Sequence, residues 1–171
     1  MQLNICKAQP EDVEPARQLV NRSWLVTYTP LIGADKTREI IAERHSVARF
    51  AAQAANNRHM FLIAKHGSDV VGHSYAYPQD GLYIDRLHVD PDLKGSGIGR
   101  AIITFIEQEC VLRTKLWFEV LRGNDRAIGF YNRMGFSMSH EIPDCGGLAG
   151  IPAFVFKKYT GLADFSRDVS V

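Results

Sequence analysis

A mixed α/β (α+β) fold, with a sheet of about seven strands flanked by about four helices, is what this sequence predicts. Three observations carry the prediction. Short strand-like runs recur between stretches with helical apolar spacing. Two of those runs, within residues 59–77, are joined by His66-Gly67-Ser68-Asp69, a hairpin signal. Residues 82–106, LYIDRLHVDPDLKGSGIGRAIITFI, read as strand, Asp-Pro-Asp turn, glycine-rich loop and the start of an amphipathic helix. A length of 171 residues suits one domain over 1–160, followed by a polar tail over 161–171.

Taken in order, residues 2–7 alternate apolar and polar side chains and form a first strand. Pro10 opens a helix with Val13, Ala16 and Val20 on one face. The segment Trp24–Pro30 continues or follows that helix, with a break expected at Pro30 and Gly33. Residues 35–55 are expected to form one further helix, with Ile40, Val47, Ala48 and Ala51 on its apolar side. The hairpin strands cover 59–65 and 70–77, and a strand at 82–89 comes next. The following helix sets Ile98, Ala101, Ile102, Phe105 and Ile106 at i, i+3, i+4, i+7 and i+8, a core-facing stripe. A strand at 115–121 leads to a short helix capped by Asn124 or Asp125 and ended by Gly135. Strands at 136–141 and 151–158, separated by a glycine-rich loop, complete the sheet.

Composition narrows function by exclusion. A net charge of +1 offers no electrostatic footprint for nucleic acid. No apolar run approaches the roughly 18 residues needed to span a bilayer, and the N-terminus turns polar too early for a secretory signal. Cys6, Cys110 and Cys145 are spaced for neither a disulfide framework nor a zinc site, and the six histidines lack metal-ligand spacing. The expectation is a cytoplasmic protein with no metal and no nucleic-acid or membrane partner.

The chemistry concentrates in the glycine-rich loop. Gly95, Gly97 and Gly99 remove β-carbons at alternate positions, so backbone N–H groups can close on an anion at a helix N-terminus. That describes a phosphate cradle. A P-loop needs Gly-Lys and then Ser or Thr, whereas Gly99 precedes Arg100 and Ala101. A dinucleotide fingerprint needs G-x-G-x-x-G/A, and here Arg100 or Ile102 fills the third slot. With its flanks, Leu87 to Ala101 resembles the acetyl-CoA-binding motif of the GNAT family of N-acetyltransferases, Gln/Arg-x-x-Gly-x-Gly/Ala after a strand. Lys94-x-x-Gly97-x-Gly99 matches it with one departure, Lys for Gln/Arg, which keeps the charge and loses the planar fork. A second segment, from Asn124 through Ala127, Phe130 and Tyr131 to Gly135 and Phe136, resembles the family's N-x-x-A-x-x-F-Y-x-x-x-G-F. The order of elements over 2–158 is similar to the family's as well.

The resemblance implies a mostly antiparallel sheet and acetyl transfer from acetyl-CoA to a primary amine, in a ternary complex. The acceptor is a small molecule or a protein amine. It further implies that Leu87, His88 and Val89, the loop residues Lys94, Gly95, Ser96, Gly97, Ile98, Gly99 and Arg100, and Asn124 and Tyr131 bind the coenzyme. Val89 N–H would polarise the thioester carbonyl, and Tyr131 would protonate the departing thiolate. Asp85 matches positions where relatives carry a catalytic base, and holds the amine or removes its proton through water; an ion pair with a nearby arginine is the other reading. By strand alternation Tyr83, Asp85, Leu87 and Val89 share one face while Ile84, Arg86 and His88 share the other, which makes His88 structural. Trp24, Tyr28 and Tyr83 suit an aromatic-walled acceptor pocket for a small cationic amine, with Glu119 a further candidate there. The alternative is a non-catalytic acyl-CoA sensor of the same fold. Many relatives form homodimers, and the sequence leaves the oligomeric state open.

Overall fold

In a computed structural model, which describes residues 2–112 and 114–161, the chain runs β1 (Asn4–Lys7), α1 (Val13–Ile32), α2 (Ala34–Arg44), α3 (Val47–Ala55) and β2 (Met60–His66). It continues through β3 (Asp69–Pro78), β4 (Leu82–Val89), α4 (Ile98–Glu109), β5 (Lys115–Leu121), α5 (Asp125–Arg133), β6 (Ser137–Ile142) and β7 (Ala153–Tyr159). Apart from Gly161, the predicted tail lies outside the described residues. The sheet order is β1-β2-β3-β4-β5-β7-β6, antiparallel except for β4 against β5. Among the described residues no helix is long and apolar enough to cross a membrane.

Both sheet faces are covered. Leu62, Ala64, Ile84 and Phe118 pack against α4 residues Ile98, Ile102 and Ile106 and α5 residue Tyr131 on one face. Phe61, Ile63 and Tyr75 pack against Val13, Ala16 and Val20 of α1 and Phe50 of α3 on the other. Consecutive residues of β2 are therefore buried on opposite sides, as period-two alternation requires between two helical layers.

Two helical expectations are corrected. Pro30 does not break α1: it stands in the last turn, where little helix remains to disturb, and the chain leaves at Gly33 with φ +86°. The expected single helix over 35–55 is two, because Ser46 adopts extended backbone and its hydroxyl caps α3 by accepting from Arg49 N–H at 3.2 Å. The reset rotates the apolar face. Phe50 is buried, whereas Val47, Ala48 and Ala51 are exposed.

Candidate active site

A bulge in β4 organises the site. Tyr75 pairs with Arg86 and the next β3 residue, Ala76, pairs with Ile84, so Asp85 has no partner opposite it. The extra residue shifts the alternation. Leu82, Ile84, Leu87 and Val89 face the α4 layer, while Tyr83, Arg86 and His88 face the α1 layer. This corrects the sequence reading, which placed Tyr83 and Asp85 on one face with Leu87 and Val89.

The same region opens a gap. β4 and β5 pair only at Leu82–Leu116 and Tyr83–Trp117, then diverge. Asp90 N–H donates to Val71 C=O at 3.0 Å, which makes Val89–Gly72 a non-hydrogen-bonded pair. The backbone groups of Leu87 and Val89 therefore point away from β3, into the gap. A cleft of about 500 Å³ fills it, bounded by α1, the glycine loop and α5.

At one end of the cleft lies the glycine loop. Gly95 (φ +96°) and Gly97 (φ +89°) adopt backbone that disfavours any β-carbon, and Gly97 is the N-cap of α4. The first backbone bond of α4 is Ala101 N–H to Gly97 C=O, and among the described residues the N–H groups of Gly97, Ile98, Gly99 and Arg100 have no backbone acceptor. At Gly99 space is tight: a β-carbon there would lie 3.3 Å from the Phe130 ring. Arg100, Arg126 and Arg133 also line the cleft. Lys94 reaches across it to donate to Thr27 Oγ1 of α1 at 2.9 Å, and burial, with Arg126 adding to it, lowers its pKa.

Tyr131, buried on α5, lines the gap. Its ring packs 3.8 Å from that of Phe118 and 5.8 Å from that of Phe136, between centroids. Asn124 Oδ1 caps α5 by accepting from Ala127 N–H at 3.3 Å. At the other end Phe136 N–H donates to Tyr131 C=O and Gly135 N–H to Asn132 C=O, each at 3.1 Å, with Gly135 at φ +81°. Burial, with a smaller contribution from Tyr28, raises the phenol pKa. Among the described residues its hydroxyl has no hydrogen-bond partner, and it lines the cleft.

At the far end are Trp24 and Tyr28, with ring centroids 4.3 Å apart, and Tyr83, whose ring lies 4.4 Å from that of Trp117 at a tilt of 40°. Asp85 is partly exposed, with Oδ2 3.4 Å from Nε of buried Arg86; burial raises its pKa against the pull of Arg86, Arg49 and Arg44. Arg86 lies over Phe50 at 4.3 Å and Tyr75 at 4.7 Å, and donates to Gln53 Oε1. Glu119 faces the cleft but accepts Gly146 N–H, tying down the loop between β6 and β7. His88 is buried with Nδ1 3.0 Å from Ser23 Oγ.

Every residue singled out in the sequence lines this cleft except Ser96, whose N–H and hydroxyl both turn back to Leu93 C=O, at 3.2 and 2.6 Å. Missed were Arg44, Arg49, Gln53 and Arg86. The first three stand on helices whose placement over the site is tertiary, and Arg86 joins Tyr83 on the α1 face only through the bulge at Asp85, which no sequence signal marks.

Residues 20–136 match the profile of the acetyltransferase (GNAT) family. The chain belongs to the GNAT family. Its fold is similar to that of a PaiA N-acetyltransferase from Thermoplasma acidophilum solved with coenzyme A, at TM-score 0.78 and 21% identity over 93% of this chain and 99% of that one. A peptidyl-lysine N-acetyltransferase, YjaB of Escherichia coli, is 34% identical over 39% of this chain, and the match spans 44% of the relative's length. A 5-NmdU N-acetyltransferase of Pseudomonas phage PaMx11 is 29% identical over 58% of this chain and 73% of its own. GNAT membership and the α4 cradle agree: unpaired N–H groups at a helix N-terminus, beside arginines, fit the pyrophosphate of a coenzyme A thioester.

Proposed function

We propose that this GNAT protein transfers an acetyl group from acetyl-CoA to a primary amine by direct attack in a ternary complex. The observation that carries the reading is the juxtaposition in one cleft of the α4 cradle, the outward-facing backbone of Leu87 and Val89, and the Tyr131 hydroxyl. The relatives carry names as different as peptidyl-lysine and 5-NmdU N-acetyltransferase, so amine acetylation is the shared chemistry and the cleft walls set the acceptor.

In this mechanism the N–H groups at the start of α4 hold the pyrophosphate, and the Leu87 and Val89 backbone aligns the pantetheine arm. Val89 N–H donates to the thioester oxygen as negative charge develops on it. Asp85 takes the amine and passes its first proton to water; its raised pKa makes it a better relay than an exposed aspartate. Attack forms the N–C bond and breaks the C–S bond, and the second amine proton then leaves to solvent. The thiolate takes the phenolic proton of Tyr131, which solvent restores, so one proton is released overall. A dry apex raises the pKa of phenol and thiol together, which preserves their match. A cytoplasmic setting suits three unpaired cysteines.

The deciding experiment measures thiol release from acetyl-CoA with a panel of amines. Amine-dependent release is expected. Tight coenzyme binding with no release from any amine would favour the sensor reading instead.

A further inference from the structure

The acceptor end of the cleft is a donor-rich place. Arg44, Arg49 and Arg86 all line it, from α2, α3 and β4. The charges of Arg44 and Arg49 are poorly spent within the protein. Arg44 donates to a neutral carbonyl, that of Gly146 at 2.8 Å, and its nearest carboxylate is Glu43 at 3.9 Å. Arg49 makes no side-chain ion pair or hydrogen bond among the described residues. Arg86 is 7% exposed, and its Nε is buried without a hydrogen-bond partner although Asp85 lies 3.4 Å away. Trp24 Nε1, in the same wall, is a second buried donor without an acceptor. Buried donors left unpaired are costly, and both of these call for an acceptor that a bound molecule would bring.

The negative groups facing them are few. Asp85 is one, and Glu119 is already engaged by Gly146 N–H. A polycationic amine entering here would meet three guanidinium groups, which opposes the cationic acceptor expected from the aromatic wall alone. The loop and its phosphate chemistry are distant: Asp85 precedes Val89 by four residues, about 13 Å along an extended strand. The arginines are therefore not an extension of the coenzyme cradle.

We infer that the acceptor is a small zwitterionic amine, an amino-acid-type molecule whose carboxylate is held by Arg49 and Arg44 with the Trp24 indole N–H, while its ammonium lies against Asp85. This rests on the acetyltransferase reading and names its substrate class. Guanidinium pairs carboxylate in a two-pronged way that lysine does not, and the ammonium-to-carboxylate direction set by the two ends would orient the nitrogen towards the gap.

The test compares thiol release from acetyl-CoA with α-, β- and γ-amino acids, the carboxamides of the same molecules, and spermidine. For the best acid, kcat/KM is expected to exceed that of its amide at least 30-fold, with spermidine poorer still. In Arg49→Gln, on the exposed side of α3, this acid-to-amide ratio should fall at least tenfold, through KM for the acid. Arg44→Gln should do the same, and circular dichroism of both variants checks that they fold. Equal use of acids and amides, or a ratio that neither substitution moves, overturns the inference while leaving the acetyltransferase intact. No release with any amine overturns both.

Discussion

Tyr131 owes its place to local structure at both ends of α5: the Asn124 cap starts the helix and the turn at Gly135 binds the Tyr131 carbonyl. Its ring is wedged against Phe118, so removing the hydroxyl alone leaves packing in place. Tyr131→Phe is expected to lower kcat about tenfold or more with coenzyme affinity changed less than about twofold. Thiol-release kinetics beside calorimetry check this, and unchanged kcat would remove Tyr131 from the acid role. This residue was legible in the sequence because its cap, its aromatic neighbour and its terminating glycine all lie within one short segment. Arg86 was not. Its face depends on a single unpaired residue in β4, and alternation counted from the strand start gives the opposite answer.

At the scale of elements, the glycine loop and α4 act as a unit whose two requirements are separable. Gly97 has open space around a built β-carbon but a φ of +89°, so its glycine is there for backbone conformation and for the anion's approach. A branched residue is strained in that conformation. Gly97→Val should weaken coenzyme binding at least tenfold by calorimetry; wild-type affinity would mean that the loop is not the phosphate site. Gly72 in β3 is the reverse case, ordinary in backbone but crowded, with Ile98 2.8 Å and Ile102 3.0 Å from where a β-carbon would stand. Gly72→Ala should push α4 off the sheet and cost about 1–3 kcal/mol in denaturant unfolding. A cost near zero would show that α4 shifts freely. Strand and helix positions were largely readable, since period-two and 3.6-residue spacing are local. The division of 34–55 into two helices was not, because Ser46 reads as an ordinary helix residue until its cap is seen.

On the scale of the whole molecule, stacking α1 and α3 on the sheet encloses three histidines that the sequence scatters. His45, His73 and His88 are all buried, with Nδ1 2.7 Å from Asn21 Oδ1, 3.0 Å from Leu62 C=O and 3.0 Å from Ser23 Oγ. Among the described residues His73 Nε2 has no partner. Burial, reinforced by Arg86, lowers the pKa of each: to about 3 for His45 and His88, and well below the ordinary value for His73. The unfolded chain binds these protons near pH 6.5 and the folded one does not, so stability is complete above that pH and declines as pH falls from there towards 3. Each histidine held neutral takes away about 1.4 kcal/mol per pH unit in that window. Carboxylates in the unfolded chain titrate mostly below pH 5, so the interval from 6.5 to 5 isolates the histidines. Thermal unfolding should therefore shift to lower temperature between pH 7 and 5, and His73→Gln, which keeps a donor for Leu62 C=O, should flatten that dependence by about a third. A Tm independent of pH across this interval would mean that the histidines take up protons without unfolding the layer that covers them.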